Sequence, residues 1–263
     1  MSGYETVTYE TSGPTVTISL NRPEARNGIV PQMMDDLWDA VRDAAADKQL
    51  RVLVLRGAGR DFCPGADLKA YVGAAQRATR PETFGISAIL HEAPLVTIAA
   101  IKGACAGAGL GWASACDLRI CDETAKFNVA FLDVGMSGDM AGTWFLPRIL
   151  GAAKARELYF LPGKFDGAEA ARIGLVNRMV PEATFETELA ALVDRLANSS
   201  PLALKGMRPT SSSRSTWASP TSSRPRPPAT RLAAAPRTAA RPSAPSWKSA
   251  GRCSRGGDDR LAV

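Results

Sequence analysis

The sequence predicts an α/β fold with crossover connections, because strand and helix signals alternate from the start of the chain to Met207. Two further observations point the same way. Arg51 to Arg56 reads as a strand of the fully buried kind, and two glycine-rich segments directly follow strands.

Pro14 to Leu20 alternates apolar and polar residues like a strand and stops at Asn21-Arg22-Pro23. From Pro31 to Ala46, apolar residues recur at helical spacing (Met34, Leu37, Val41, Ala45), and Pro31 suits a first helical turn. The strand Arg51 to Arg56 is closed by Gly57-Ala58-Gly59. Leu95 to Ile101 is the next strand, running through a glycine-rich turn into a helix of small residues near Ala108 to Ala115. Leu118 to Cys121 forms a further short strand.

A chain of 263 residues can bury one large core, with a smaller appendage. No apolar run approaches the roughly 18 residues that a bilayer crossing needs. The start, Met1 to Glu10, lacks a basic and then apolar signal, so a cytoplasmic protein with no membrane partner is expected. Five cysteines (Cys63, Cys105, Cys116, Cys121, Cys253) show no metal-ligand spacing and read as reduced thiols, Cys116 and Cys121 as packing residues.

The net charge of +6 is unevenly placed. Residues 208–263 hold eleven Lys or Arg against two Asp, which leaves residues 1–207 at 21 basic and 24 acidic groups, a net of −3. The main domain therefore has no polyanion-binding character, and no nucleic-acid partner is expected. The domain boundary falls at the same place: 1–200 as the core, 201–263 as a separate C-terminal region. From Arg208 onward Pro, Ser, Arg and Ala dominate without a sustained period, a composition that favours disorder. A natural basic tail is one explanation and a frameshift is the sharper one. Read one base out of frame with permitted codon choices, Pro245 to Asp258 decodes as a charged helix end, a basic terminus and a stop. Restoring one base turns Met207-Arg208-Pro209-Thr210 into Met-Lys-Ala-Asn.

The chemistry should sit at the two glycine-rich segments, Gly57 to Lys69 and Lys102 to Gly111. Small residues admit a ligand close to the backbone, and a helix start leaves several N–H groups without partners. Two such groups from separate turns can converge on one oxygen and form an oxyanion hole. Ordinary tight turns are the alternative. The run Gly107 to Gly111 does not fit the dinucleotide-binding glycine pattern.

In this order and spacing the segments resemble the enoyl-CoA hydratase/isomerase (crotonase) superfamily from Thr8 to about Met207. The motifs are Asn21 to Asn27, Phe62 to Asp67, Ile98 to Asp117, Gly142 to Arg148 and Phe165 to Val176. The resemblance implies a crotonase-like spiral core of ββα units, followed by a C-terminal helical region that a frameshift after Met207 would disrupt. It implies an acyl-CoA substrate, coenzyme A as part of that substrate and no other cofactor, and a homotrimer or dimer of trimers. The oxyanion donors would be the backbone N–H groups of Ala66 and Ala108. Ala66, Asp67 and Leu68 would lie beside the adenine of coenzyme A. Arg26 is a candidate for the phosphates, with a solvated loop charge as its alternative.

Hydration of an enoyl thioester uses two carboxylates sharing acid and base roles. At the matching positions stand Gly111 and Phe131, so both are missing. Asp139, just before Gly142-Thr143-Trp144, stands where some isomerases of the superfamily place a catalytic Asp. Isomerisation needs one base, and a carboxylate desolvated in an apolar pocket can serve. Helix capping is the alternative for Asp139. Asp133 is a second candidate acid, Asp117 reads as structural, His91 as a surface helix end, and Trp144 and Phe127 as core. Ser137 has no paired base in sequence. The expected activity is thus enoyl-CoA isomerisation by Asp139. The alternatives are a hydratase of low or altered activity, a silent acyl-CoA-binding homologue and, more remotely, nucleic-acid binding through the tail.

Overall fold

A computed structural model describes residues 3–70 and 78–207. The chain divides into two units, Met1–Trp217 and Ala218–Val263, and the described residues all belong to the first. The tail and its frameshift reading fall on residues 208–263, outside the described residues.

The strands are β1 (Val7–Ser12), β2 (Thr15–Leu20), β3 (Val52–Gly57), β4 (Val96–Ile101), β5 (Ala104–Ala106), β6 (Leu118–Asp122), β7 (Lys126–Asn128), β8 (Phe165–Asp166) and β9 (Arg178–Val180). The helices are α1 (Pro31–Ala46), α2 (Ile86–Glu92), α3 (Ala108–Ala115), α4 (Gly142–Leu150), α5 (Ala152–Phe160), α6 (Gly167–Arg172), α7 (Phe185–Ala197) and α8 (Pro201–Met207). The main sheet runs β1-β2-β3-β4-β6-β9. Only the β1–β2 hairpin is antiparallel; every later pair in that sheet is parallel, as crossover connections require. A small second sheet, β5-β7-β8, stands beside it.

The alternation of side chains along β3 explains its continuous apolar run. Leu53 and Leu55 enter the larger core with Met33, Leu37 and Val41 of α1, whereas Val52 and Val54 face a smaller core under Phe185 and Leu189 of α7. The stripe of α1 is rotated slightly from the sequence expectation: Ala44 is fully buried and Ala45 only half so. Among the described residues no helix is long and apolar enough to cross a membrane.

Candidate active site

Three backbone hydrogen bonds bring the two glycine-rich turns together. The Phe62 and Cys63 amides donate to the Lys102 and Ala104 carbonyls at 2.8 Å, and the Ala106 amide returns to Cys63 at 2.9 Å. On the other side, the Ile29 amide donates to Gly65 at 2.9 Å and Asp67 donates to Ile29 at 3.0 Å. This pairing holds Gly65 and Asp67 and leaves the N–H of Ala66 turned away from Ile29. The turns then meet: a Cβ built on Gly65 would stand 3.9 Å from the amide nitrogen of Ala108. The approach depends on Gly109, where an added Cβ would lie 2.4 Å from the Cys63 carbonyl oxygen.

Ala108 is the first residue of α3, so its N–H has no intrahelical acceptor, and neither it nor the Ala66 N–H finds a hydrogen-bond partner among the described residues. Both residues line one cavity of about 250 Å³. Its remaining walls are largely apolar, with Ile29, Met34, Phe84, Phe131 and Met136 prominent, and Asp139 stands among them.

Asp139 is set by a tense loop. Met140 and Ala141, which follow it, both occupy the left-handed region at φ 45° and 55°. Each such non-glycine residue costs about 1–2 kcal/mol. The loop is pinned by the Ser87 hydroxyl, which donates to the Met140 carbonyl at 2.7 Å, and by the Gly142 amide, which donates to the Asp139 carbonyl at 3.1 Å. Asp139 does not cap α4: the capping position is Ala141, with no side-chain cap. Its Oδ1 is buried without a hydrogen-bond partner. Burial pushes its carboxyl above the usual carboxylate range, opposed only by its own backbone N–H.

Neither position 111 nor position 131 carries a carboxylate, and the structure leaves no room for one at 111. A Cβ at Gly111 would lie 2.8 Å from Met140 Cβ and 2.9 Å from Met140 O, so no side chain extends from position 111 while the left-handed loop holds its place. Phe131 is buried and stacks on Tyr159 with centroids 6.4 Å apart. Gly111→Glu is therefore expected to lower stability by about 1–3 kcal/mol through overpacking and to yield no hydration activity. Urea unfolding together with a 2-enoyl-CoA hydration assay checks both.

Of the residues singled out in the sequence, Ala66, Ala108, Asp139 and Leu68 share the cavity, with Leu68 exposed at its mouth. The Asp67 carboxylate is turned to Arg22 at 3.1 Å and to the Ala70 amide at 3.2 Å. Arg26 holds Asp61 at 2.8 Å and lines a separate groove with Arg60, Lys102 and Lys126. Asp133 and Ser137 are exposed. Asp117 is structural, accepting from the amide and hydroxyl of Thr97 at 2.8 and 3.1 Å. His91 departs from the expected bare surface end: it is half-buried, edge-on to Trp144 and Phe145 at 5.5 and 5.2 Å. Phe127 is buried, whereas Trp144 only packs against the core, with Arg148 over its ring at 3.8 Å. Cys63, Cys105, Cys116 and Cys121 are all buried, and burial raises the Cys63 thiol to about 12.

Tyr159 was not legible in the sequence. It sits in α5 among Lys154, Arg156 and Glu157, where no local pattern marks it, yet its hydroxyl is buried without a partner close to Asp139.

Residues 10–223 match the family model described as enoyl-CoA hydratase/isomerase. A protein of Rhodobacter capsulatus named a probable enoyl-CoA hydratase is 37% identical over 199 residues, covering 74% of this chain and 76% of its own. One of Mycobacterium tuberculosis, also named a probable enoyl-CoA hydratase, is 35% identical over 192 residues, covering 68% and 67%. Among solved structures, a Thermobifida fusca YX protein assigned by name to the enoyl-CoA hydratases, in complex with acetoacetyl-CoA, superposes with TM-score 0.72 at 28% identity, covering 77% of this chain and 84% of that one. Enoyl-CoA hydratase from Bacillus anthracis gives 0.70 at 27% identity, covering 76% and 80%. With its parallel sheet, its paired glycine-rich turns and these matches, the chain belongs to the enoyl-CoA hydratase/isomerase (crotonase) family.

Proposed function

We propose that this protein is an enoyl-CoA isomerase that moves a double bond into conjugation with the thioester, using Asp139 as its single base. The observation that carries the reading is that Asp139 is the one carboxylate among the described residues lining the cavity. The two hydratase positions hold Gly111 and Phe131, and the left-handed Met140 fills the space beyond Gly111.

The thioester carbonyl oxygen lies between the N–H groups of Ala66 and Ala108. Asp139 takes a proton from the α-carbon of a 3-enoyl thioester. The electron pair of that C–H bond moves into the carbonyl, and the two amides stabilise the resulting dienolate oxygen. The protonated Asp139 then returns its proton to the γ-carbon, the double bond settles between the α- and β-carbons, and the carboxylate is regenerated. The apolar walls keep water away and suit an acyl chain without polar groups. Leu68 and the backbone near Ala66 and Asp67 meet the adenine. Coenzyme A enters only as part of the substrate, and Arg26 is kept as a candidate for its phosphates. Assembly into trimers or dimers of trimers belongs to the same reading and is tested by sedimentation.

Because the base acts in its ionised form, turnover should fall as pH drops through the carboxyl's raised pKa. The acidic limb of kcat is therefore expected above the ordinary carboxylate value of 3.8. The names of the relatives favour a second reading, hydration of 2-enoyl-CoA. Incubation with 3-enoyl-CoA and with 2-enoyl-CoA, followed by absorbance of the conjugated thioester, separates the two. Appearance of conjugated product supports isomerisation. Loss of conjugation from 2-enoyl-CoA, retained in Asp139→Asn, supports hydration. Tight acyl-CoA binding without turnover would identify a silent homologue.

A further inference from the structure

Two polar atoms of the buried protein stand near each other with nothing to bond: Oδ1 of Asp139 and the hydroxyl of Tyr159. Their closeness is visible in the residues that flank Asp139. A Cβ built on Gly142 would lie 2.7 Å from the Tyr159 hydroxyl, and one built on Gly138 would lie 3.2 Å from Tyr159 Cε1. The phenol thus reaches under the loop from α5, with Phe131 stacked against its ring as a lid toward the cavity. The bare backbone at 138 and 142 is what admits it.

The other charged groups nearby are committed elsewhere. On α2, His91 faces Trp144 and Phe145. On α4, Arg148 lies over Trp144, and on α5, Lys154 pairs with Glu157 at 2.7 Å on the surface. Asp133 in the preceding turn is exposed, and the α3 face nearest the loop is Gly111. The Asp139 carboxylate is close enough to the Tyr159 phenol to raise its pKa further above the ordinary tyrosine value.

We propose that Tyr159 is the positioning residue of Asp139: its hydroxyl turns to donate a hydrogen bond to the carboxylate when Asp139 is ionised, fixing one oxygen and leaving the other to face the substrate. This deepens the reading of Asp139 as the base and rests on it. A donor to the ionised form favours that form, so Tyr159 opposes the upward push of desolvation. Burial and the nearby Asp139 carboxylate raise the phenol's own pKa, so it stays protonated and serves as a donor, never as the acid.

The test uses the full chain with its aspartates carrying a ¹³C-labelled side-chain carboxyl, and Asp139→Asn to identify the resonance. The Asp139 carboxyl is titrated by NMR without substrate. In Tyr159→Phe its pKa should rise by about one unit. In protein carrying 3-fluorotyrosine, a stronger donor, it should fall below that of the unmodified chain. In parallel, Tyr159→Phe should shift the acidic limb of kcat upward with KM nearly unchanged. A carboxyl that titrates at the same pH in all three proteins would overturn the proposal. So would a Tyr159→Phe protein that only melts earlier, with its kinetic pH profile unmoved. Because the titration is read without turnover, its outcome is separate from that of the isomerase assay.

Discussion

Asp139→Asn is expected to reduce 3-enoyl-CoA isomerisation by about 100- to 10,000-fold, the usual range for losing a positioned acid–base group. Asparagine keeps the shape of the side chain but cannot hold the travelling proton. The fold should not suffer. The folded-state pKa of Asp139 is raised by burial, so between the unfolded and folded values the native protein binds more protons than the unfolded chain. Stability then falls as pH rises through that window, and the ionised Asp139 is a net cost at neutral pH. Neutral asparagine removes that cost. Thermal unfolding at pH 7 should therefore show a midpoint no lower than that of the parent chain, alongside the lost turnover. A lower midpoint, or turnover within threefold of the parent, would contradict the role given to Asp139.

Ala108→Pro should have a comparable effect through the other half of the chemistry. The substitution removes one N–H at the first residue of α3, where no intrahelical hydrogen bond is lost and proline is well tolerated. Removing one oxyanion donor typically costs about 100- to 1,000-fold in rate, near 2.7–4 kcal/mol of transition-state stabilisation. The loss should appear in kcat. Ala108→Gly keeps the N–H and serves as the control, expected within a few-fold of the parent. Steady-state kinetics on the pair checks this: equal losses in both variants would mean that the side chain, and not the amide, matters.

Much of the fold was legible because its main elements carry strong local signals. α1 begins and ends where Pro31 and the apolar spacing place it, and α3 spans Ala108–Ala115 as read. β3 and β4 announce themselves as apolar runs because they are buried on both faces. The strands that escaped are weakly patterned. β1 lies at the sheet edge with its outer half exposed, and β5, β7, β8 and β9 have only two or three residues each. The meeting of the two glycine-rich turns was expected, but their pairing through Cys63 and Ala104–Ala106 arises from contacts some forty residues apart that no local pattern records. The left-handed pair Met140 and Ala141 was invisible because neither residue type favours that conformation; the Ser87 contact, 53 residues away, helps impose it. Asp67 and Arg26 show the same limit, since their guanidinium and carboxylate partners, Arg22 and Asp61, are known only once the loops are in place.

The proposed chemistry depends on one thioester oxygen being held by two main-chain amides. A crystal structure of Asp139→Asn with a bound 3-enoyl-CoA tests it most directly. The thioester oxygen should lie about 2.7–3.1 Å from the amide nitrogens of both Ala66 and Ala108, with the α-carbon facing position 139. A thioester oxygen bonded to neither amide, or an acyl group lodged outside this cavity, would contradict it.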